Sequence, residues 1–446
     1  MLAFLLVRNV QLNEEAKRFI TKAYNFLLLD SVVGWMTGTF FILRALEYLS
    51  FNELGFLLAI QFSIQLFTDY PTGAIGDWIG QKWVYASSLV FFSLGFFIFA
   101  IADSFLLFLI VFTLLGFASA LISGAWNAWY DNNFKLYAPE DHERQVYSLI
   151  VGKSNSLFLA CQGTAIILGG FLAVTIGRST MFLIHALSDG SLFFVVLRYM
   201  QDHPNIQRVK PNIREYFYLL GEGISYSVQH KYFRVILIGT LITNVGIMIW
   251  SNFLLFPFYE SYTKTDDMIG LFRASLFFSG AFFALIAASV SKRLSQEKAC
   301  NLYTIFSITS LPIFFWLIMS LYFVIPPTDT FQLLPLIILE IIWIINHFGY
   351  NLVLILIQRI YLDIIPDENR NSIYSLLPTI IAFISIPVML FGGIVIDLIS
   401  FVEVTFIIGL LGLIGGFISG LAVFRYGQKE LKIKQKITLN FKPSLS

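Results

Sequence analysis

The sequence predicts an all-α membrane protein, with twelve transmembrane helices in two pseudo-symmetric six-helix bundles, and three observations predict it. Of the 446 residues, 57% are hydrophobic and only 13% are charged, about half the charged fraction of a soluble domain, so a water-facing surface cannot be built around such a core. Apolar runs long enough to cross a hydrocarbon layer of roughly 30 Å recur from end to end, separated by short polar segments. The two halves of the chain also carry similar loops at equivalent places.

The runs begin near residues 22, 53, 83, 104, 146, 179, 234, 268, 299, 332, 371 and 402. Ahead of the first, MLAFLLVRNVQLNEEAKRF has no basic residue before its short apolar start and no small-residue cleavage site, so it is not expected to be a secretory signal. The second run closes on Pro71, Thr72, Gly73 and Ala74, and the fourth, FLLFLIVFTLLGFASALISGAW, closes on Trp129, Tyr130 and Asp131. The longest polar interval, QDHPNIQRVKPNIREYF, follows the sixth run and reads as a linker through its prolines and charges. The expected division is an N-terminal six-helix bundle over residues 1–200, a cytoplasmic linker over 201–230, a C-terminal bundle over 231–427 and a cytoplasmic tail over 428–446.

Lysine and arginine flanking a span are retained on the cytoplasmic side. With the N-terminus inside, all of the 29 basic residues except Arg44, Arg178, Lys264 and Arg273 fall on that side. Both termini are therefore expected in the cytoplasm of a multi-pass cell-membrane protein. Losing one helix from the count would swap the sides of every later loop.

The loop after the fourth run reads PEDHERQVYS (139–148) and the loop after the tenth reads PDENRNSIYS (366–375), each with a proline, acidic residues, an arginine and a closing Tyr-Ser. GAIGDWIGQK (73–82) after the second run corresponds in place to SVSKRLSQEK (289–298) after the eighth. A six-plus-six duplication explains both, and two similar bundles rocking about a midplane site give alternating access.

On these residues the sequence resembles the major facilitator superfamily, whose members carry G-x-x-x-D-(R/K)-x-G-(R/K)-(R/K) between helices two and three. Gly73, Asp77, Gly80 and Lys82 match that pattern, while Trp78 and Gln81 replace two of its basic positions. The resemblance implies the superfamily fold, a gating loop that also involves Arg144 and Arg370, and a central cavity lined by helices one, four, seven and ten. The Pro-Thr-Gly-Ala ending and the Trp-Tyr-Asp closing of helix four are similar to small-solute and drug transporters. Two marks of drug/proton antiporters are missing: helix four has no arginine, and helix five has Gly163, Gly169 and Gly170 without a Gly-Pro pair.

An ionisable group near the bilayer centre costs roughly 2.5–3.5 kcal/mol on insertion scales, so each invites a functional reading. Helix one offers Asp30 and Trp35, helix four Trp126, Asn127 and Asp131, helix seven Asn244 and Trp250, and helix ten Glu340, His347 and Asn351. Glu340 and His347 are seven apart, on one helix face, which suits a proton relay. Trp129 and Tyr130 lie near a helix end, where aromatic rings anchor at the interface. His185 and Asp189 share a face of the sixth span, and Arg273 is expected near the outer end of the eighth, its side chain snorkelling.

The expected function is secondary active transport of a small organic solute, proton-coupled, as an antiporter exporting amphipathic or cationic compounds. Uptake of a nutrient or an anion, using Arg273 or Arg44, is the alternative, and a non-transporting receptor or scaffold is another. No GxxxxGK[ST] loop is present to use ATP, and the five histidines form no HExxH or similar cluster. No enzymatic activity, metal or cofactor is expected, and a net charge of +1 leaves no footprint for nucleic acid. The expected partners are the substrate, protons and the lipid bilayer, and the expected unit is a monomer.

Overall fold

The computed structural model describes residues 3–8, 10–141, 144–202, 213–365 and 367–440. After one turn, α1 (Phe4–Val7), the first span is split into α2 (Glu14–Met36) and α3 (Phe41–Leu46). The rest of the N-terminal half is α4 (Phe51–Ile79), α5 (Gln81–Ile101), α6 (Phe105–Tyr137), α7 (Gln145–Ile176) and α8 (Arg178–Tyr199). The expected linker interval contains a helix, α9 (Ile213–Gln229), whose Tyr226 hydroxyl donates to the Ile364 carbonyl at 2.8 Å. The C-terminal half opens with α10 (Lys231–Ile249), a π-helical turn (Trp250–Leu254) and α11 (Leu255–Thr263) as one span. Then follow α12 (Asp266–Arg293), α13 (Gln296–Val324), α14 (Leu333–Ile364), α15 (Asp367–Leu398) and α16 (Phe401–Asn440).

Eleven helical stretches among the described residues are long and apolar enough to cross a bilayer. The second span, α4, has the length for it, with 29 residues. Gln61, Gln65 and Asp69 make it more polar than the others. Local chemistry sets the helix starts. Asn13 accepts a hydrogen bond from the Ala16 amide at the head of α2, and Ser50 and Glu53 form a reciprocal capping box at the head of α4, satisfying amides that a helix start leaves unpaired. In α11, Pro257 has no N–H for the carbonyl four residues back, and its ring crowds that carbonyl. The turn just before it widens to π geometry, a feature frequent at functional sites.

Gly80 makes the corner between α4 and α5 with φ +110°, and a Cβ there would meet the Asp202 carboxylate. Asp202 accepts from the Lys82 amide at 3.0 Å, and the Lys82 ammonium donates to the Leu197 carbonyl at 2.8 Å. This turn thus locks the start of α5 to the end of α8. Gly80→Ala has both a strained backbone and no room for its methyl group, and is expected to cost about 1–3 kcal/mol, read as a lower unfolding temperature of the purified protein.

Because the spans alternate in direction, the start of α2 and the end of α16 lie at one end of the bundle, the end of the termini, and the other is the far end. The halves meet where α4 packs on α15 and α7 on α12. At the far ends of these pairs glycines let backbones touch: a Cβ on Gly55 would sit 2.5 Å from the Met389 carbonyl, and one on Gly270 2.7 Å from the Ile166 carbonyl. Close approach through small residues is how helices pack without a hydrophobic driving force.

The buried core divides accordingly. At the far end one cluster spans both halves, with Phe40, Phe99, Phe108 and Phe182 from the first and Trp250, Phe258, Tyr262 and Phe315 from the second. Towards the termini the described residues form separate cores. One is centred on Tyr24, Tyr85, Trp126 and Tyr130 in the N-terminal half, and the other on Phe233, Tyr303, Leu356 and Tyr361 in the C-terminal half.

Candidate functional site

A cavity of about 320 Å³ lies in the C-terminal half at the π turn. Its wall takes Trp250, Ser251 and Leu255 from the seventh span, Arg273, Leu276 and Phe277 from α12, Phe314 and Phe315 from α13, and Trp343, Asn346, His347 and Asn351 from α14. Leu159 of α7 closes it from the N-terminal half, and Trp35 of α2 packs edge-on against Phe277 with ring centres 5.1 Å apart. A smaller space of about 70 Å³ adjoins it, sharing Ile247, Leu311 and Tyr350 and lined also by Asn244 and several hydroxyls. The volume and mostly apolar lining, with a few placed polar groups, suit a small organic ligand.

Three of the expected cavity residues therefore border the larger space directly, Trp250, His347 and Asn351, while Trp35 reaches it only through its contact with Phe277. Asn244 borders the smaller one and donates to the Thr240 carbonyl at 3.0 Å. Glu340 stands behind the wall: Tyr259 donates to its Oε1 at 3.1 Å and Ser275 donates to its Oε2. The expected relay from Glu340 to His347 is not a continuous chain of bonds. His347 Nδ1 pairs instead with Ser279 Oγ at 3.1 Å, so successive serines of α12 hold the two α14 side chains separately.

Arg273 corrects an expectation. It lies seven residues inside the start of α12, roughly 10 Å from that end at 1.5 Å per residue, and is only 8% exposed. Its guanidinium sits 4.9 Å from the Phe256 ring centre and 5.6 Å from that of Phe277. Rings on two sides hold the charge inward and stabilise it by cation–π attraction, so it does not snorkel to the interface. Arg44 is committed elsewhere, donating to Glu47 at 2.8 Å and to the Ala102 carbonyl at 3.1 Å.

The remaining candidates lie in the N-terminal half, away from this wall. Asp30 accepts from the Tyr85 hydroxyl at 3.0 Å. Trp126 is buried in the aromatic cluster, stacked on Tyr130 with ring centres 6.2 Å apart. Trp129 is also buried and donates to the Gln201 carbonyl at 2.8 Å, a structural bond beyond the anchoring expected of it. Asn127 is exposed. Asp131 pairs with Arg144 and with Lys135, the latter at 2.7 Å, and Arg144 also lies 4.4 Å from the Tyr147 ring centre. His185 is 1% exposed, bonded through Nδ1 to Thr37 at 2.7 Å and 3.6 Å from Asp189. In the gating loop, Gly80 and Lys82 form the corner described above, while the side chains of Asp77 and Arg370, and Gly73 beyond its place in α4, lie outside the described residues.

Sequence reasoning missed the far-end latch. Arg178, at the head of α8, donates from Nε and Nη2 to both oxygens of Asp266 at 2.8 Å, from Nη2 to Glu260 at 2.8 Å and from Nη1 to Glu47 at 2.7 Å. One guanidinium thus ties α3 and α8 of the first half to α11 and α12 of the second. Beside it the Asn52 amide donates to Asp397 at 2.8 Å, joining α4 to α15. The available signal was the basic residue left on the poorly charged side of the membrane, together with acidic residues at 47, 260 and 266 near span ends.

The family model for the Major Facilitator Superfamily matches residues 26–339 of this chain. Among solved structures the chain is similar to the nucleoside transporter NupG, with a TM-score of 0.65 at 14% identity, over 91% of this chain and 99% of that one. A mutant form of NupG gives a TM-score of 0.67 at 14% identity, over 90% of this chain and 100% of that one. No curated protein sequence matches it. At this identity the structural likeness speaks for the fold alone, whereas the family match extends over most of the chain. The chain belongs to the major facilitator superfamily.

Proposed function

We propose that the protein is a proton-coupled secondary transporter that moves a small organic solute by alternating access, with the C-terminal cavity as its substrate site and Glu340 as its proton-carrying group. The observation that carries this reading is the asymmetry of the core. Among the described residues the halves share one packed cluster and a charged latch at the far end, and have separate cores towards the termini. Such a molecule is closed on one side of a mid-depth cavity, and rocking of the halves about that cavity would open the other. Retention of basic residues in the cytoplasm supports reading the closed end as the outward one, which makes this an inward-facing arrangement of a cell-membrane transporter.

Glu340 is the carboxylate next to the wall, at the same depth as Arg273, and its partners Tyr259 and Ser275 are neutral donors. The expected export of a cation finds less support, since among the described wall residues there is no carboxylate. The test is a proton-flux screen in proteoliposomes loaded with a pH-sensitive dye, with carboxylates, amines, sugars and uridine added outside. At least one compound is expected to drive a proton movement that protein-free vesicles lack. Silence across the panel, with no labelled compound exchanged, would favour the receptor or scaffold reading.

A further inference from the structure

We infer that the C-terminal cavity is a receptor for an organic anion, its carboxylate-type head group held by Arg273 and Trp250 and its apolar body by Leu276, Phe277, Phe314 and Phe315. The inference rests on the proposed substrate role of this cavity and adds the chemical class of what enters it.

The first observation is a buried cation without a counter-ion. Arg273 lines the cavity at 8% exposure, no carboxylate of the described residues comes within ion-pairing distance, and its Nε has no acceptor. A charge removed from water is costly unless paired. Glu340 accepts from Tyr259 and Ser275 and forms no ion pair with Arg273. Aromatic rings on two sides lower the cost of burying the guanidinium without using its N–H groups.

The second observation is independent. Trp250, in the π turn, is 3% exposed and lines the same cavity, yet its indole Nε1 has no acceptor, although a buried indole N–H normally finds one. The other polar wall groups are mixed, since Asn351 donates to the His347 carbonyl at 2.9 Å and keeps its own carbonyl oxygen as an acceptor. Ser251 donates to its own helix at the Ile247 carbonyl, 2.8 Å away, and the Asn346 carbonyl is occupied by Ser310 at 2.6 Å, which leaves its amide N–H groups as donors. The unused donors of Arg273 and Trp250, set beside aromatic and aliphatic surface, are complementary to an anion on an apolar ring system, and guanidinium–carboxylate pairing is the strongest bond they can offer.

The test uses the purified full chain and three matched probes that differ only in head group: 2-naphthoate, 2-naphthamide and 2-naphthylmethylammonium, titrated calorimetrically at one pH. 2-Naphthoate is expected to bind at least about 10-fold more tightly than either of the others. Arg273→Gln should remove that preference, lowering 2-naphthoate affinity about 10-fold or more while leaving 2-naphthamide within about 3-fold. Should Arg273→Gln fail to fold, Arg273→Lys and Trp250→Phe carry the test: lysine keeps the anion preference but weakens it, and Phe lowers 2-naphthoate affinity about 3- to 10-fold. Tightest binding of the ammonium, no binding of any probe, or an unchanged 2-naphthoate affinity in the folded variants would overturn the inference. Arg273-dependent 2-naphthoate binding without exchange across proteoliposomes would sink the transport reading and leave the anion site standing. Exchange of the ammonium alone would do the reverse.

Discussion

Arg178→Ala is expected to release the far end of the molecule. The wild-type side chain makes a two-pronged pair with Asp266, a residue only 7% exposed, and reaches Glu47 and Glu260 as well. The latter two carboxylates are well exposed, so their pairs with Arg178 are worth little. Removing one member of a buried pair, by contrast, costs roughly 3–5 kcal/mol, because the other charge stays buried unpaired. Arg178 is itself partly exposed, which discounts the cost of the closed state to about 2–3 kcal/mol, a shift of roughly 30- to 150-fold between closed and open far ends. The two halves would separate where Ile166 to Gly170 of α7 meet Asp266 to Gly270 of α12. Hydrogen exchange followed by mass spectrometry should show these two segments opening faster in the variant, with the cores towards the termini unchanged. Equal exchange in variant and wild type would mean the latch is an incidental surface cluster.

Glu340→Gln is expected to uncouple transport from protons without abolishing movement of the solute. The amide keeps the size of the side chain, its oxygen accepting from one of the Tyr259 and Ser275 hydroxyls and its NH2 donating to the other, but it cannot gain or lose a proton. Accumulation driven by a pH gradient should fall more than about 10-fold, to the level reached without a gradient, while exchange at equal pH stays within about 3-fold of wild type. Asp30→Asn should have the smaller effect, since Asp30 is bonded to Tyr85 inside the N-terminal core and borders no described cavity. If Glu340→Gln accumulates solute as the wild type does, the proton is carried elsewhere, with the His185 and Asp189 pair of α8 the next place to look.

Much of the fold was legible because a membrane demands a local signal: each span must be apolar over its own twenty or so residues. The runs read near 53, 83, 104 and 402 begin as helices at Phe51, Gln81, Phe105 and Phe401. The corner at Gly80 was legible for a similar reason, since a backbone at φ +110° leaves glycine as the natural choice. Its partner Asp202 was not, because that contact joins residues 120 apart in the chain. The break between α2 and α3 falls at Thr37, Gly38 and Thr39, and the π turn at Trp250 lies just ahead of Pro257, but both signals sit inside apolar runs long enough to be counted as single spans.

The candidate site was legible in its residue types and misjudged in its depth and pairing. Glu340 and His347 share a helix face, as their spacing requires, yet the serines of α12 hold them apart. Arg273 looked like an end-of-helix arginine because only the chain was counted. Phe256, on a different helix, helps turn it inward. Trp126 and Trp250 are equivalent as letters and both are buried in a core, and packing alone puts Trp250 on a cavity wall as well.

The central claim is that the two halves alternate about the C-terminal cavity, and counterflow tests it most directly. Proteoliposomes loaded with an excess of an unlabelled compound that drives proton flux are diluted into a trace of the same compound carrying a radiolabel. A carrier that alternates produces a transient overshoot of label inside, because each outward passage returns a site for inward passage, and the overshoot should shrink at least about 10-fold in Arg273→Gln. Uptake that rises to equilibrium without an overshoot, or an overshoot indifferent to that substitution, would contradict the account.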